Sequence, residues 1–245
     1  MDFKTFLIES EDKHASMAFV RMNPIHKGHE LVLNKVHDVA KKHNGEAHVI
    51  ASHTEGNAKN PIPVKKKVEY IKKVAPKGVN VTHSDKDAPS LLHHAVKLHD
   101  KGVKHLHIVG DRPRAESFHK MLNTYNGKKG LKHGHYNFKS ITKHIAGERS
   151  ESGKGLEGMS GTKMRQHARS GDMKSFKAGL TMKEDEEGNN YLVYESKKPA
   201  KNVRIAEVKC RQKGLGYASS VGLEFAIAKD FGKELYDANK EEYPP

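Results

Sequence analysis

Apolar positions in this chain follow two patterns, short continuous runs and longer stripes that repeat every three to four residues. The runs predict strands near residues 17–22, 47–52, 79–83, 104–109 and 140–145. The stripes predict helices near residues 28–43, 63–74, 88–101, 114–125 and 163–169. Strands that alternate with helices indicate an α/β protein, in which a parallel sheet carries helices on both faces.

The alternation stops at a charged, glycine-bearing segment, Lys183–Asn190, which we interpret as a linker. We therefore expect a polar N-terminal lead (1–16), an α/β core (17–182) and a C-terminal appendage (190–245). A small apolar cluster in the lead is consistent with a short amphipathic helix that docks on the core or on a partner: Phe3, Phe6, Leu7 and Ile8.

The appendage is predicted to be a small ββα unit. Two alternating patterns, Tyr191–Glu195 and Val203–Cys210, precede a helix with an apolar stripe, Val221–Tyr236. So few residues make only a marginal hydrophobic core on their own. We expect this unit to pack on the core or on another copy of the chain, so residues 191–245 are a candidate surface for self-association or assembly.

Composition indicates a globular protein with a heavily charged surface, since 35% of the 245 residues are hydrophobic and 30% are charged. No apolar run approaches the roughly 20 residues of a membrane span. The N-terminus lacks the basic-then-apolar pattern of a secretory signal. The single cysteine, Cys210, excludes an internal disulfide framework. These features predict a cytoplasmic protein that does not bind membranes.

The net charge of +14 suits attraction of a nucleotide, a nucleic acid or an acidic partner. However, the basic residues are spread along the whole chain, and no RRM, KH or helix-turn-helix signature is present. Aromatic residues for base stacking are few and are not clustered. We therefore do not expect a nucleic-acid partner.

The eighteen histidines suggest metal binding, but their local pairs lack cysteine or acidic co-ligands. His105 and His107 alternate with apolar residues, and we interpret them as one solvated face of a strand. His133 and His135 follow a glycine- and lysine-rich segment and are interpreted as loop residues. No residue is therefore predicted to bind a metal directly.

The strongest chemical signal is Arg21–His29 (RMNPIHKGH), which lies where a predicted strand gives way to a predicted helix. A helix N-terminus presents unpaired N–H groups and a partial positive charge, so an anion is expected there. Gly28 permits close approach of a ligand, and Pro24 stiffens the turn. His26 and His29 can donate hydrogen bonds to phosphate oxygens.

A second segment, Glu157–Arg165, has the same character. It places a glycine, Gly161, at the start of another predicted helix. Hydroxyls and cations suited to an anion surround that glycine: Ser160, Thr162, Lys163 and Arg165.

Together these segments resemble motifs of the nucleotidylyltransferase superfamily. Arg21–His29 is similar to its GRxxPxHxGH variant, and Met159–Arg165 is similar to its SxTKxR variant. Val109–Arg112 resembles the GxD turn after the fourth strand. The resemblance covers roughly residues 15–182 and is greatest to cytidylyltransferase-like proteins related to nicotinamide-nucleotide adenylyltransferases, many of them encoded by bacteriophages. One departure is Val20, where the superfamily usually has glycine.

The resemblance implies a Rossmann-like sheet with strand order 3-2-1-4-5. In such a sheet the ligand binds where the strand order reverses, outside the carboxyl ends of strands one and four. In this chain those ends correspond to His26 and to Gly110 with Asp111.

The resemblance also implies an activity, the transfer of a nucleoside monophosphate from ATP or CTP to a small phosphorylated acceptor with release of pyrophosphate. Mg²⁺ is the implied cofactor, held mainly by the phosphates and water. The implied catalytic residues are His26, His29, Lys163 and Arg165. The implied nucleotide-binding residues are Arg21, Met22, Pro24, Gly28, Gly110, Asp111, Ser160, Gly161 and Thr162.

Some alternatives remain open at this stage. Asp111 also suits a simple turn, and Arg112 with Arg114 suits either an acceptor-phosphate site or a solvated face. A second function class is a structural or interaction protein, such as a virion or assembly component, that keeps this fold with weak or no activity; Val20 and the unusual appendage motivate it. The expected location is the cytoplasm, that of the host if a phage encodes the chain, or a virion under this alternative.

Overall fold

The computed structural model describes residues 12–147, 159–180, 182–184 and 190–192. The predicted helix of the lead, and the strand and helix predicted after residue 200, lie outside the described residues. Contacts divide the chain into two compact units, which are described separately.

The first unit, here called the sheet unit, comprises residues 12–21, Glu30–Thr54 and the described residues from Ala75 to 147. It contains a five-stranded parallel sheet in the order β3-β2-β1-β4-β5. The strands are β1 (Lys13–Val20), β2 (Glu46–Ala51), β3 (Val79–His83), β4 (Val103–Gly110) and β5 (Ser140–Ile145). The implied strand order is therefore confirmed, and the fold is α/β and Rossmann-like.

Helices cover both faces of this sheet, as predicted. On one face, α3 (Leu91–Asp100) and α4 (Arg112–Tyr125) bury apolar side chains against β1, β4 and β5. Burial of that apolar surface is the main driving force for the layered arrangement. The core residues include Ala15, Met17, Leu91, Ala95, Leu98, Leu106, Ile108, Leu122, Tyr136 and Ile141.

The opposite face carries α1 (Lys27–Lys42). Ser16 of β1 points to that face and donates from its hydroxyl to the carbonyl oxygen of Val36 over 2.6 Å. Leu33, Val36 and Val39 are buried, as their spacing along the chain predicts.

The second unit, here called the motif unit, comprises Met22–His29, Glu55–Val74 and the described residues from Met159 onwards. Its helices are α2 (Val64–Val74), α5 (Gly161–Ser170) and α6 (Met173–Gly179). Two short strands, β6 (Met182–Glu184) and β7 (Asn190–Leu192), pair antiparallel. The motif unit therefore contains the first motif from Met22 onwards and the described part of the second motif.

Three predicted features differ from the structure. Strand β1 begins at Lys13, inside the predicted lead, because backbone pairing with β4 includes polar residues that the apolar pattern omits. The ends of the predicted linker are paired, since Lys183 lies opposite Tyr191. The interpretation of His107 as a solvated residue is wrong, since it is only 4% exposed.

Candidate functional site

Helix α1 begins inside the HxGH sequence, as predicted, and the two histidines form its cap. The backbone N–H of His29 donates to the carbonyl oxygen of His26 over 2.8 Å. In return, the backbone N–H of His26 donates to Nδ1 of His29 over 3.2 Å. This exchange resembles a capping box in which histidine takes the place of the usual Glu or Gln.

The cap determines which nitrogen of His29 carries the proton. Because Nδ1 accepts from a backbone N–H, the proton of the neutral imidazole must lie on Nε2, which is therefore a hydrogen-bond donor. The rings of His26 and His29 lie 3.7 Å apart between centroids, and His26 is only 3% exposed. The motif thus places two imidazoles together at a helix N-terminus.

The loop before this helix is anchored by buried side chains. Met22 has a φ of 45° and, like Ile25, is almost fully buried. The Asn23 amide donates to the carbonyl oxygen of Ile62 over 3.0 Å and accepts from the Ile62 N–H over 3.1 Å. Pro24 follows within this buried turn. The anchored loop restricts the positions that His26 can adopt.

The second motif caps helix α5, as its sequence predicts. Ser160 is the N-cap residue, and its hydroxyl oxygen accepts from the backbone N–H of Lys163 over 3.2 Å. The helix ends at Gly171 in the left-handed conformation, with a φ of 71°. Lys163 is exposed in the first turn. A hydroxyl, N–H groups and a cation therefore meet at one helix N-terminus.

Arg165 joins the two motifs, which are far apart in the sequence. Its Nη1 donates to the backbone carbonyl oxygen of Asn23 over 2.6 Å, a contact between residues 142 positions apart. Its Nη2 donates to the Thr162 hydroxyl oxygen over 3.3 Å. A β-carbon on Gly161 would lie 3.1 Å from Nη1 of Arg165 and 3.5 Å from the Asn23 oxygen. The glycine therefore leaves room for the guanidinium to reach the first motif.

Gly110 and Asp111 belong to the sheet unit, at the end of β4. Asp111 is the N-cap of α4 and accepts from the backbone N–H of Arg114 over 3.1 Å. Arg112 lies 3.9 Å from the carboxylate of Glu116. The turn role of Asp111 is thus confirmed, and its predicted contact with a nucleotide stays a prediction.

The remaining residues of interest lie around the end of β1. Val20 is the last residue of that strand and is 6% exposed. Its carbonyl oxygen accepts from the backbone N–H of Ser52 over 2.8 Å, so its side chain and backbone both belong to the sheet unit. Arg21 follows and is exposed.

Two residues of the motif unit were not predicted from the sequence. Lys67 of α2 is 1% exposed, although burial of a charged side chain requires compensating partners. Its signal in the sequence is its place on the apolar stripe of α2, between Val64 and Ile71. The anchoring role of Asn23 could not be predicted from the sequence, because its hydrogen-bond partner Ile62 lies 39 positions away along the chain.

The Mg²⁺ that the resemblance implies would be held mainly by phosphates and water. Within the described parts of the chain, a group of three potential metal ligands occurs in the sheet unit, and none occurs in the motif unit. Mg²⁺ commonly binds through substrate phosphates and water with few protein ligands. The implied Mg²⁺ and its nucleotide therefore stay predictions.

No protein-family model matches the chain, and no curated protein matches it. Solved structures with a related arrangement include the crystal structure of a macrolide-efflux protein from Streptococcus pneumoniae, with a TM-score of 0.40 and 15% identity. The match covers 69% of this chain and 57% of that one, so this chain spans little more than half of that protein's length. So distant a match carries no argument about function.

The fold defines the class of this protein as α/β and Rossmann-like. Among the helices of the described residues, none is both long and apolar enough to cross a membrane.

Proposed function

We propose that the protein is a nucleotidylyltransferase that transfers a nucleoside monophosphate from ATP or CTP to a small phosphorylated acceptor. The observation that carries the proposal is the bond from Arg165 to the Asn23 carbonyl oxygen. It ties the HxGH loop to the N-terminal turn of α5, so that imidazoles, hydroxyls and cations of two separate motifs belong to one compact unit. Two helix N-termini of this composition suit a polyphosphate.

In the proposed reaction, an oxygen of the acceptor phosphate attacks the α-phosphorus of the triphosphate. A new P–O bond forms, the bond between the α-phosphorus and the β-phosphate oxygen breaks, and magnesium pyrophosphate leaves. No covalent bond to the protein is needed, so catalysis consists of positioning the reactants and neutralising charge. An intracellular location suits this proposal, because ATP and CTP are available there.

Each site residue has a role that follows from its place. Nε2–H of His29 is a donor for a phosphate oxygen, and His26 is proposed to contact the α-phosphate as charge develops. The N–H groups around Ser160 and Thr162 are proposed to bind the β- and γ-phosphates, with Arg165 as the principal cation. Lys163, which is exposed, is proposed to add a further phosphate contact, and the phosphate contact implied for Arg21 stays a prediction.

The backbone of Met22, Pro24 and Gly28 is proposed to line the nucleotide, with Gly161 leaving space beside Arg165. The contacts of Gly110 and Asp111 with the nucleotide, which the resemblance implies, stay predictions. The acceptor is a small phosphate ester, for which a nicotinamide mononucleotide is a reasonable first candidate to assay.

Nucleotide binding tests this proposal directly. We expect calorimetry to detect ATP or CTP in the presence of Mg²⁺, and a panel of phosphorylated acceptors to identify one that supports pyrophosphate release. The assay would contradict the proposal if neither nucleotide bound.

His26→Ala is expected to slow pyrophosphate release far more than it weakens nucleotide binding. The reason is that a contact strengthened in the transition state acts on the rate. Steady-state kinetics and calorimetry on the same preparation measure both quantities. His119→Ala, in the sheet unit, serves as a matched control. A variant that loses affinity but keeps its turnover would show that His26 binds only the ground state.

A second candidate function is a structural or assembly protein that retains this fold. The observation in its favour is that Val20 replaces the usual glycine with a buried side chain. This function predicts a folded protein with no measurable affinity for ATP or CTP, so the calorimetric experiment separates the two.

A further inference from the structure

The sheet face that carries α1 also carries a group of histidines, here called the histidine cluster. His14 lies near the start of β1, and its strand neighbour in the sheet is His105 of β4. His107 lies two residues further along β4, opposite Thr142 of β5. His43 follows α1 directly. The cluster comprises His14, His43, His105, His107 and His144, all within the sheet unit.

The rings of this cluster are in close contact. The centroid of His107 lies 4.2 Å from that of His43 and 5.4 Å from that of His14, and both pairs are stacked. Nδ1 of His14 lies 3.0 Å from Nε2 of His107. One donor nitrogen from each of His14, His43 and His107 lies within 4.8 Å of the other two. This spacing brings one potential ligand nitrogen from each of the three side chains into a single group.

We propose that His14, His43 and His107 bind a divalent transition-metal ion, with Zn²⁺ as the most suitable ion. Imidazole nitrogen is a preferred ligand of Zn²⁺, Cu²⁺, Ni²⁺ and Co²⁺, whereas Mg²⁺ and Ca²⁺ prefer oxygen. Three protein ligands leave a coordination position for water or for a further side chain. This site is separate from the proposed nucleotide site.

His107 has the surroundings of an oriented ligand. Its Nδ1 lies 2.7 Å from the hydroxyl oxygen of Thr142 and 3.2 Å from Nε2 of His144. A hydrogen bond to one ring nitrogen fixes the orientation of the imidazole and leaves the other nitrogen to the metal. Nε2, the nitrogen that faces His14, is therefore the ligand atom of His107.

Two histidines of the cluster have lowered pKa values. Burial, with the neighbouring imidazoles of His43, His144, His14 and His105, lowers the pKa of His107 to about 4. Burial, followed by the charge of Lys35, also lowers the pKa of His144.

A tight turn brings His43 to the cluster. Asn44 has a φ of 49°, and the backbone N–H of Gly45 donates to the carbonyl oxygen of Ala40 over 2.9 Å. A β-carbon on Gly45 would lie 2.4 Å from the backbone oxygen of His14. Only glycine therefore allows this turn to lie so close to the beginning of β1.

Positively charged side chains near the histidine cluster lower its affinity for a metal cation. Lys35 and Lys42 act on His144 and disfavour a cation. The nearby carboxylate of Asp12 is bonded to His105 over 3.1 Å and to Lys139 over 2.7 Å. The site thus relies on coordination by nitrogen rather than on long-range attraction, which favours transition metals over Ca²⁺.

The test uses the untagged full-length chain after removal of metals. We expect one tight equivalent of Zn²⁺ in competition with a chromophoric chelator. Co²⁺ should give the visible absorption of a site with nitrogen ligands. His14→Gln and His43→Gln should each weaken Zn²⁺ binding by at least about tenfold, since loss even of an outer-shell partner costs about 10–100-fold.

The matched control is His37→Gln on α1, because His37 lies 3.4 Å from Asp38, outside the cluster. It should bind Zn²⁺ as the wild type does. Thr142→Val keeps all three ligands and should weaken binding less than His14→Gln does. Equal affinities in the His14, His43 and His37 variants, or no tight equivalent in the wild type, would overturn the proposal.

X-ray absorption on the Zn²⁺-loaded wild type does not depend on the folding of any variant. We expect imidazole ligands with Zn–N distances of about 2.0–2.1 Å. A spectrum with fewer than two imidazoles would overturn the proposal.

Discussion

Arg165 has two roles, one observed and one proposed. Its guanidinium donates a hydrogen bond to the Asn23 carbonyl oxygen, and its positive charge is proposed to bind phosphate. It is 9% exposed, and its guanidinium bonds a backbone carbonyl oxygen of the HxGH loop. Arginine suits such a position because its planar guanidinium stays charged and can donate in several directions. A lysine would offer a point charge without this geometry.

Arg165→Ala should therefore lower both nucleotide affinity and stability. We expect ATP or CTP affinity to fall at least about tenfold, as for the loss of a charge-assisted contact. The melting temperature should fall as well, because the Asn23 carbonyl oxygen loses its partner. Arg169→Ala is the control, since the exposed Arg169 side chain donates to the backbone oxygen of the exposed residue Ala58 over 2.9 Å. Equal nucleotide affinity in both variants would contradict the phosphate role of Arg165.

The low pKa of His107 predicts a pH-dependent stability. Because the folded state holds this pKa at about 4 and an unfolded histidine titrates near 6.5, the unfolded state binds more protons between these values. The free energy of unfolding should therefore fall as the pH drops from about 6.5 to 4.

Denaturant unfolding at several pH values, with a chelator present, measures this effect. His107→Gln should flatten the dependence but not abolish it, because burial also lowers the pKa of His94 to about 4. His37→Gln should follow the wild type. A His107→Gln profile identical to that of the wild type would exclude His107 as a contributor.

At the scale of elements, the cap at the start of α1 and the turn after its end position the histidines of the two proposed sites. The HxGH cap begins α1, and the turn at Asn44 ends it and carries His43 back to β1. One helix thus presents a proposed nucleotide-binding end and a proposed metal-binding end. The two ends depend on different local features, so they can be altered independently.

Gly45→Ala tests the second of these ends. The added methyl group would meet the backbone oxygen of His14 at 2.4 Å, so either the turn or the strand must shift. Gly56→Ala is a matched control, because Gly56 has a φ of 74° but nothing within 4 Å. Backbone strain in Gly56→Ala should lower the free energy of unfolding by roughly 1 kcal/mol. We expect Gly45→Ala to lower it by more than this, as measured by chemical unfolding. Zn²⁺ affinity should fall in Gly45→Ala and stay unchanged in Gly56→Ala. An equal loss of Zn²⁺ affinity in the two variants would contradict the proposed role of the turn.

At the scale of the whole molecule, self-association through residues 191–245 stays a prediction. A chain that ends after Leu192 keeps the paired strands β6 and β7. We expect size-exclusion chromatography with light scattering to show a smaller oligomer for this chain than for the full chain. The same oligomer in both would exclude the C-terminal residues as the association surface.

Much of the fold was predictable from local sequence. The spacing of Leu33, Val36 and Val39 predicts α1, and the apolar run before Gly110 predicts β4. These signals are local because a buried helix stripe or strand repeats its pattern within a few residues. The caps of α1 and α5 were predictable for the same reason.

The features that local sequence did not predict depend on contacts between residues far apart in the chain. His107 belongs to an alternating strand pattern that suits a solvated face, yet its burial depends on α1, His14 and His43. The same holds for the bond from Arg165 to Asn23, which joins residues 142 positions apart. The sequence by itself therefore determined the elements, their caps and the two motifs, because these depend on neighbouring residues. Only the tertiary structure decided which side chains meet, because strand order and helix packing set those distances independently of separation along the chain.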